Sequence, residues 1–381
     1  MSKTLQDYAT LINDTIQSNE INHYITTDNM CQNLGGIDTF KNINIPQGKV
    51  RSFQKDDILL SNIRLYFRKV YRAKQKGGCS SDVLVFRAKR IDSATLFAIL
   101  SSQIFTDYAC LGSQGSKMPR GNKTHMMDFK IPTINFTIAK IFNSIQNKIE
   151  NNHKINEILH KILELLYEQY FVRFDFLDEN NKPYQTSGGK MKFSKELNRL
   201  IPNDFEVKTL GELTQLKVGN KNANHSSSQG EYPFFTCSNN PLRCETYQFE
   251  GKHIIISGNG NFYVTHYDGK FDAYQRTYVV NPNNPNHYVL IYLFVKSYTN
   301  YLKLQSRGSI IKFITKSDIE NIKIVLPNLK TYAKWNKILK MIENNNQSTQ
   351  TLTALRDFLL PLLLTQQEKE VSKIKSLSQI R

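Results

Sequence analysis

Residues 138–169 read IAKIFNSIQNKIENNHKINEILHKILELLYEQ, and the period of this stretch decides the fold. Apolar side chains fall at Ile138, Ile141, Ile145, Ile155, Leu159, Ile162 and Leu166, in steps of three and four, with Lys148 and Asn152 filling the gaps. That is a seam of about 3.5 residues per turn, the repeat of a coiled-coil helix. Neither Pro nor Gly interrupts it. A helix of this length rises ~48 Å, more than an ordinary core needs.

The rest of the 381-residue chain is long enough for about two domains. A hydrophobic share of 40% suffices for packed cores. The net charge of +17 with 11% aromatic residues points to a polyanionic partner, nucleic acid before acidic membrane. Five cysteines, odd in number and without a CxxC pair, fit reduced thiols in a cytosolic compartment better than disulfides or structural zinc. The N-terminus lacks the apolar core of a signal peptide, and the longest apolar run, Phe358 to Leu364, is far short of a membrane span. A soluble, cytoplasmic protein is expected.

Outward from the long helix, residues 1–132 mix β-type runs with turn signals. Asp57–Ser61, Ser81–Phe86 and Lys130–Pro132 read as strands, Gly35-Gly36 and Gly77-Gly78 as tight turns, and Ala94–Ile104 as a short helix. Between the first two strands, Arg64, Arg68, Lys69, Arg72, Lys74 and Lys76 alternate with Tyr66, Phe67 and Tyr71, and no acid intervenes. Such a run is either a solvated face or a phosphate-contacting surface. Residues 133–205 hold the helix and a polar connector. Residues 206–327 return to β-rich sequence, with His253–Ser257 and Thr277–Val280 as strands and Tyr288–Lys303 as a helix. Residues 328–381 read as a second long helix with a basic tail.

The chain repeats itself. A shift of 193 positions (308 − 115) lays Gly115-Ser116 on Gly308-Ser309, Lys130-Ile131 on Lys323-Ile324, and Glu150-Asn-Asn152 on Glu343-Asn-Asn345. Ile145, Ile149, Leu159 and Leu166 meet Ile338, Ile342, Leu352 and Leu359, and with a small slip Leu60-Ser61 meets Ile256-Ser257. So long a period excludes a solenoid. The reading is an α+β chain with a pseudo-twofold internal repeat. Two globular α/β-mixed recognition domains are separated by two long helices packed as an antiparallel coiled coil. Asn152 and Asn345 sit at matching seam positions, either fixing register or marking a local break. Two basic modules on a rigid spacer suit the reading of two short DNA elements a fixed distance apart.

Several segments carry a family likeness. They are Leu166-Tyr-Glu-Gln-Tyr-Phe-Val-Arg-Phe-Asp-Phe176, Lys182-Pro-Tyr184, Ser187-Gly-Gly-Lys-Met191, Ile201-Pro202, Phe205-Glu-Val207 and Leu210-Gly-Glu-Leu213. In the first half, Tyr24–Met30, Ser61-Asn-Ile-Arg64, Gly78–Val85 and Lys117-Met-Pro-Arg-Gly121 join them, and near the end Leu355-Arg-Asp-Phe-Leu-Leu-Pro361. In these the chain resembles the specificity subunit of type I restriction–modification systems. The Ile-Pro-x-x-aromatic entry before the second domain is missing before the first. The resemblance implies a non-catalytic subunit whose two recognition domains contact the halves of a bipartite double-stranded DNA target. It also implies that two modification subunits, carrying S-adenosylmethionine for adenine methylation, dock on the helices. Restriction subunits, with ATP and magnesium, can join them. No cofactor or metal is expected on this chain.

Catalytic alternatives fit poorly. Asn240-Pro241, Asn281-Pro282 and Asn284-Pro285 lack the second proline of an adenine methyltransferase motif, and Ser257-Gly-Asn-Gly-Asn261 has no helix signal behind it. Asp204 lies too close to Glu206-Val-Lys208 for a nuclease metal site. For DNA contact, polar side chains at strand ends and loops are the candidates. In the first domain these are Asn62, Arg64, Lys117 and Arg120, with Arg68, Lys69, Arg72 and Lys74 toward phosphates. In the second they are Asn259, Asn261, Tyr263, Arg276, Arg307 and Lys312. A stand-alone two-headed DNA-binding protein without methyltransferase partners is the other class that fits.

Overall fold

The computed structural model describes residues 3–38, 43–309, 311–327 and 332–364; the basic tail from 365 lies outside them. The chain is α+β and divides into two compact units. The described residues of 1–154 and 345–381 form the first unit, and those of 155–344 the second. Each unit therefore takes in part of both long helices.

In the first unit the elements are α1 (Leu5–Tyr8), β1 (Ala9–Ile12), β2 (Thr15–Gln17), β3 (Tyr24–Ile25), β4 (Lys49–Phe53), β5 (Ile58–Ser61), β6 (Val70–Arg72), β7 (Gly77–Cys79) and β8 (Val83–Ala88). The helices α2 (Ser93–Ser101), α3 (Gln103–Leu111), α4 (Lys123–Met127) and the start of α5 (Phe136–Tyr167) follow. One four-stranded sheet runs β1-β8-β5-β6 and another β2-β4-β7-β3. Gly77-Gly78 is a strand, not the expected turn. A side chain at Gly77 would meet the His23 carbonyl at 2.6 Å and the Phe53 ring at 2.7 Å, so glycine serves close packing there. The single helix expected over Ala94–Ile104 is two helices broken at Ser102. Its hydroxyl donates to Ile99 O (2.7 Å) and accepts from Phe105 N (3.2 Å), ending one helix and capping the next. All of α2 from Thr95 to Ser101 is buried, which explains its apolar composition. No single described helix is long and apolar enough to cross a membrane.

The second unit holds the rest of α5, then β9 (Met191–Ser194), β10 (Arg199–Pro202), β11 (Glu206–Thr209), α6 (Leu210–Leu213), β12 (Thr214–Val218), β13 (Tyr232–Phe235) and β14 (Leu242–Cys244). After these come β15 (Phe249–Ser257), β16 (Val264–Ala273), β17 (Thr277–Pro282), α7 (Tyr288–Gln305), α8 (Lys316–Glu320), β18 (Lys323–Leu326) and α9 (Tyr332–Leu359). Six strands order as β12-β17-β15-β16-β13-β14. The β15–β16 hairpin is in register from Phe249↔Phe271 to Ile256↔Val264. The inner end of α7, Tyr288 to Leu293, is buried in the main core of this unit, together with Ile254, Ile256 and Val280 of the sheet.

The long helices run antiparallel in both units. In the first, Gln146 meets Arg356 and Asn152 meets Thr349; in the second, Asn156 meets Ile342. The buried face of α5 is Ala139, Phe142, Ile145, Gln146, Ile149, Asn152, Asn156, Leu159 and Leu163. This corrects the apolar seam: Ile141, Ile155 and Ile162 are exposed, while polar Gln146 and Asn156 are inside. Asn152 is buried and donates to Thr349 Oγ1 (3.1 Å), whereas Asn345 is only half-buried. Past Tyr167 the helix widens into a π-turn, Glu168–Val172. That turn delivers Tyr170 and Phe171 edge-on to Trp335, with centroids 5.3 and 5.4 Å away. Phe176 stacks on Tyr170, Tyr184 and Phe205 behind them.

The repeat is visible in local detail. Thr4 and Thr209 cap α1 and α6 with capping boxes closed by Asp7 and Glu212. Thr4 bridges Lys130, and Thr209 pairs with Lys323. The first unit thus has an entry like that of the second, carried by Thr4-Leu5 and Thr209-Leu210 in place of the missing Ile-Pro motif.

Candidate nucleic-acid interface

In each unit a central strand ends against a loop that leaves the helical layer. In the first, Gln114 and Arg120 close the loop through a pair of backbone bonds (2.9 and 2.8 Å). The strand end is tied to it by Arg64 N→Pro119 O (2.9 Å) and Gly121 N→Asn62 O (3.2 Å). In the second, Arg307 and Phe313 close the loop (3.0 and 2.8 Å), and the ties are Gly260 N→Lys312 O (2.9 Å) and Ile314 N→Gly258 O (3.0 Å). Every loop partner shifts by 193 (313 − 120) and every strand partner by 196 (260 − 64). The loops turn at Gly115 (φ 100°) and Gly308 (φ 101°), a left-handed conformation that favours glycine. Four backbone hydrogen bonds at each site make the loop a fixed projection of the sheet edge.

This lock collects part of the candidate set. Arg64, Lys117 and Arg120 stand together in the first unit: the Arg64 guanidinium donates to Lys117 O (3.4 Å), Lys117 is exposed, and Arg120 pairs with Asp82 at 3.0 Å. In the second unit Arg307 pairs with Asp318 at 3.2 Å, and Lys312 and Arg276 are exposed. Arg120 and Arg307 remain more than 60% exposed in these pairs. Exposed pairs of this kind contribute little to stability, so either arginine can exchange its carboxylate for a phosphate at small cost. Asn261 donates to the Tyr263 hydroxyl (3.1 Å). The Oδ1 atoms of Asn62 and Asn259 are buried, away from solvent.

The remaining basic candidates are engaged inside the first unit. Arg68 donates to Ser101 O (2.9 Å), and burial lowers the pKa of its guanidinium. Lys69 donates to Thr27 O (2.6 Å), Arg72 faces Asp56 at 3.7 Å with only 14% of its side chain exposed, and Lys74 pairs with Glu150 at 2.9 Å. The run from Arg64 to Lys74 thus works mainly as internal clamps. Spacing alone could not separate clamp from contact, because the partners are distant in sequence.

Arg64 occupies a left-handed conformation (φ 50°), where the second unit has Gly260 (φ 72°). A side chain there costs about 1–2 kcal/mol. Arg64→Gly is therefore expected to hold or raise the thermal midpoint while weakening DNA binding. A variant that loses stability and binding together would show Arg64 to be structural only.

A second polar cluster lies in the second unit, where the ligand atoms of His225, Cys244 and Asp272 fall within 4.8 Å of one another. The Asp272 carboxylate accepts from His225 Nε2 (3.1 Å) and Thr246 Oγ1 (2.6 Å), with Lys221 Nζ at 4.0 Å. The nearby ammonium already neutralises this carboxylate and opposes a metal cation. The five cysteines are free thiols, and burial raises the pKa of Cys244.

Comparisons with known proteins match one domain of the chain by sequence and nearly the whole chain by fold. Residues 202–355 match the "Type I restriction modification DNA specificity domain" family. Two curated relatives are the EcoDI specificity subunit of Escherichia coli, 33% identical over 185 residues, and the MjaIX specificity subunit of Methanocaldococcus jannaschii, 24% identical over 304 residues. These alignments take in 47% and 71% of this chain and span 36% and 68% of the relatives' lengths. The type I S subunit from M. genitalium shares the fold, with a TM-score of 0.61 at 17% identity over 96% of both chains. Residues 202–355 thus match a type I DNA specificity domain, and the fold of a type I S subunit extends over nearly the whole chain.

Proposed function

We propose that this chain is the DNA-reading specificity subunit of a type I restriction–modification enzyme and carries out no chemistry itself. The observation that supports this best is the duplicated loop-and-strand lock. Each unit presents one rigid basic projection, as a bipartite target requires. Arg64, Lys117 and Arg120 would serve one half-site, and Arg276, Arg307 and Lys312 the other, with Tyr263 and Asn261 beside them. S-adenosylmethionine would belong to modification subunits, and ATP and magnesium to restriction subunits.

The reading is tested by co-expressing the chain with a modification subunit and sequencing the methylated DNA. A stable complex and adenine methylation within a split sequence are expected. If nothing co-purifies and no mark appears, a stand-alone DNA-binding protein is the better description. Within a working complex, Arg120→Ala is expected to alter methylation through the first half-site only.

The outer face of α5 supports a docking role. Ile155, Ile158, Ile162 and Leu165 form an exposed row at helical spacing, with Ile158 61% and Leu165 53% exposed. Ile158→Glu combined with Leu165→Glu should abolish co-purification of the modification subunit. Surface substitutions of this kind typically shift stability by about 0.5 kcal/mol or less. A retained complex would remove this face from the docking surface.

A further inference from the structure

Met118 and Ile311 occupy the same place in the two loops, one repeat of 193 apart (311 − 118). They expose 52% and 61% of their surface. Leu111 and Leu304, the matching residues at the ends of the helices that lead into the loops, each expose 84%. Single exposed apolar residues are ordinary. Here the same two positions are apolar and exposed in both units, although the sequences around them differ. The tips pack back on their turns: a side chain at Gly115 would lie 3.6 Å from the Met118 carbonyl, and one at Gly308 would lie 2.3 Å from the Ile311 carbonyl.

The surroundings select the occupant. From Leu111 to Met127 there are three cations, Lys117, Arg120 and Lys123, and no acid. From Leu304 to Ser317 there are again three, Arg307, Lys312 and Lys316, and no acid, although Arg120, Arg307 and Lys316 pair with Asp82, Asp318 and Glu320 from outside these stretches. The cationic partners in these pairs are at least half exposed, and a nucleic-acid backbone can take the place of their carboxylates at small cost while also meeting Lys117, Lys123 and Lys312. Once the flanking cations sit on phosphates, an apolar tip between them reaches the bases. There it can meet a thymine methyl group or press against a base step.

We propose that Met118 and Ile311 are specificity-determining residues that make apolar contact with DNA bases, one in each half-site. This rests on the DNA-reading function proposed above and adds a contact that carries no charge. Phosphate contacts and tip contacts differ in salt dependence: losing a lysine reduces the slope of log affinity against log salt, while losing an apolar contact leaves it unchanged.

The test uses the full chain, with its modification subunit where one co-purifies, and duplexes selected from a randomised pool. Met118→Ser and Ile311→Ser should each weaken binding roughly tenfold and relax base preference in one half-site only. The salt slope and the thermal midpoint should stay as in the wild type, and Met118→Leu and Ile311→Val should restore binding. Uracil in place of thymine assigns the source. A matching loss identifies the methyl group, and a tip effect that persists on uracil DNA identifies the base step. A selective wild-type chain with unaltered Ser variants overturns the tip contact alone. So does a Ser variant that loses the modification subunit while keeping its base preference. A wild-type chain that selects no sequence overturns the DNA-reading function, and the tip contact falls with it.

Discussion

Phe171→Ala is expected to destabilise the second unit by about 3–5 kcal/mol, the range for truncating a buried aromatic ring. Phe171 is 6% exposed and meets four rings: Tyr167 stacked at 5.3 Å, Trp335 edge-on at 5.4 Å, Tyr170 at 6.4 Å and Phe205 at 6.5 Å. Its removal takes away apolar burial and also the ring geometry that holds Trp335, each ring pair adding about 0.5–1.5 kcal/mol beyond area. The π-turn that carries Phe171 gives the cavity little chance to close, because Arg199 hydrogen-bonds its carbonyl (3.2 Å) and fixes the backbone. Trp335 is the only tryptophan, so its fluorescence reports this site directly. A red-shifted emission and a lower denaturant midpoint are expected. An unchanged midpoint would mean that the ring cluster does not hold the unit together.

The fold was legible where one physical rule governed. Short runs of β-branched and aromatic residues gave His253–Ser257 and Thr277–Val280, which lie within β15 and β17, and the unbroken helical stretch gave α5 to within two residues at each end. The seam was misread because an apolar count cannot see a buried polar face. Gln146, Asn152 and Asn156 are inside through hydrogen bonds to residues far along the chain, and exposed Ile141, Ile155 and Ile162 took their place in the pattern. Gly77-Gly78 was misread for a similar reason. Glycine marks a turn or a close approach, and only the Phe53 ring decides which. The proposed interface was legible only in part. The repeated Gly-Ser pair located both loops, and the candidates Arg64, Lys117, Arg120, Arg307 and Lys312 lie at them. Met118 and Ile311 match under the same 193-residue shift, but their exposure shows only in the folded chain. The clamps made by Arg68, Arg72 and Lys74 depend on partners such as Glu150 that no spacing rule connects to them.

The buried polar pair of the helices leads to the second large effect. Arg356 is 2% exposed. It donates to Gln146 Oε1 (3.2 Å) and Asn33 O (3.3 Å), and it pairs with Asp357 at 3.0 Å. Gln146, equally buried, donates from Nε2 to Leu34 O (3.1 Å). The two side chains together anchor the Asn33–Leu34 turn, where both residues are left-handed, to the helix pair. Arg356→Met keeps the bulk but leaves Gln146 Oε1 and Asn33 O without a donor, at about 1–3 kcal/mol for each orphaned group. A loss of roughly 3 kcal/mol is expected in denaturant unfolding of the first unit. Asp357 adds little to it, since it is about half exposed and regains water. Gln146→Leu is expected to cost a similar amount, because it turns an Arg356 donor toward hydrocarbon. The double variant removes both partners of one hydrogen bond, so its cost should fall well below the sum of the two. Additive costs in that cycle would show that the pair acts through packing alone. A non-additive cycle would identify the Gln146–Arg356 bond as the element that fixes the register of α5 on α9 in this unit, a role the apolar seam cannot fill because its Ile141 faces solvent.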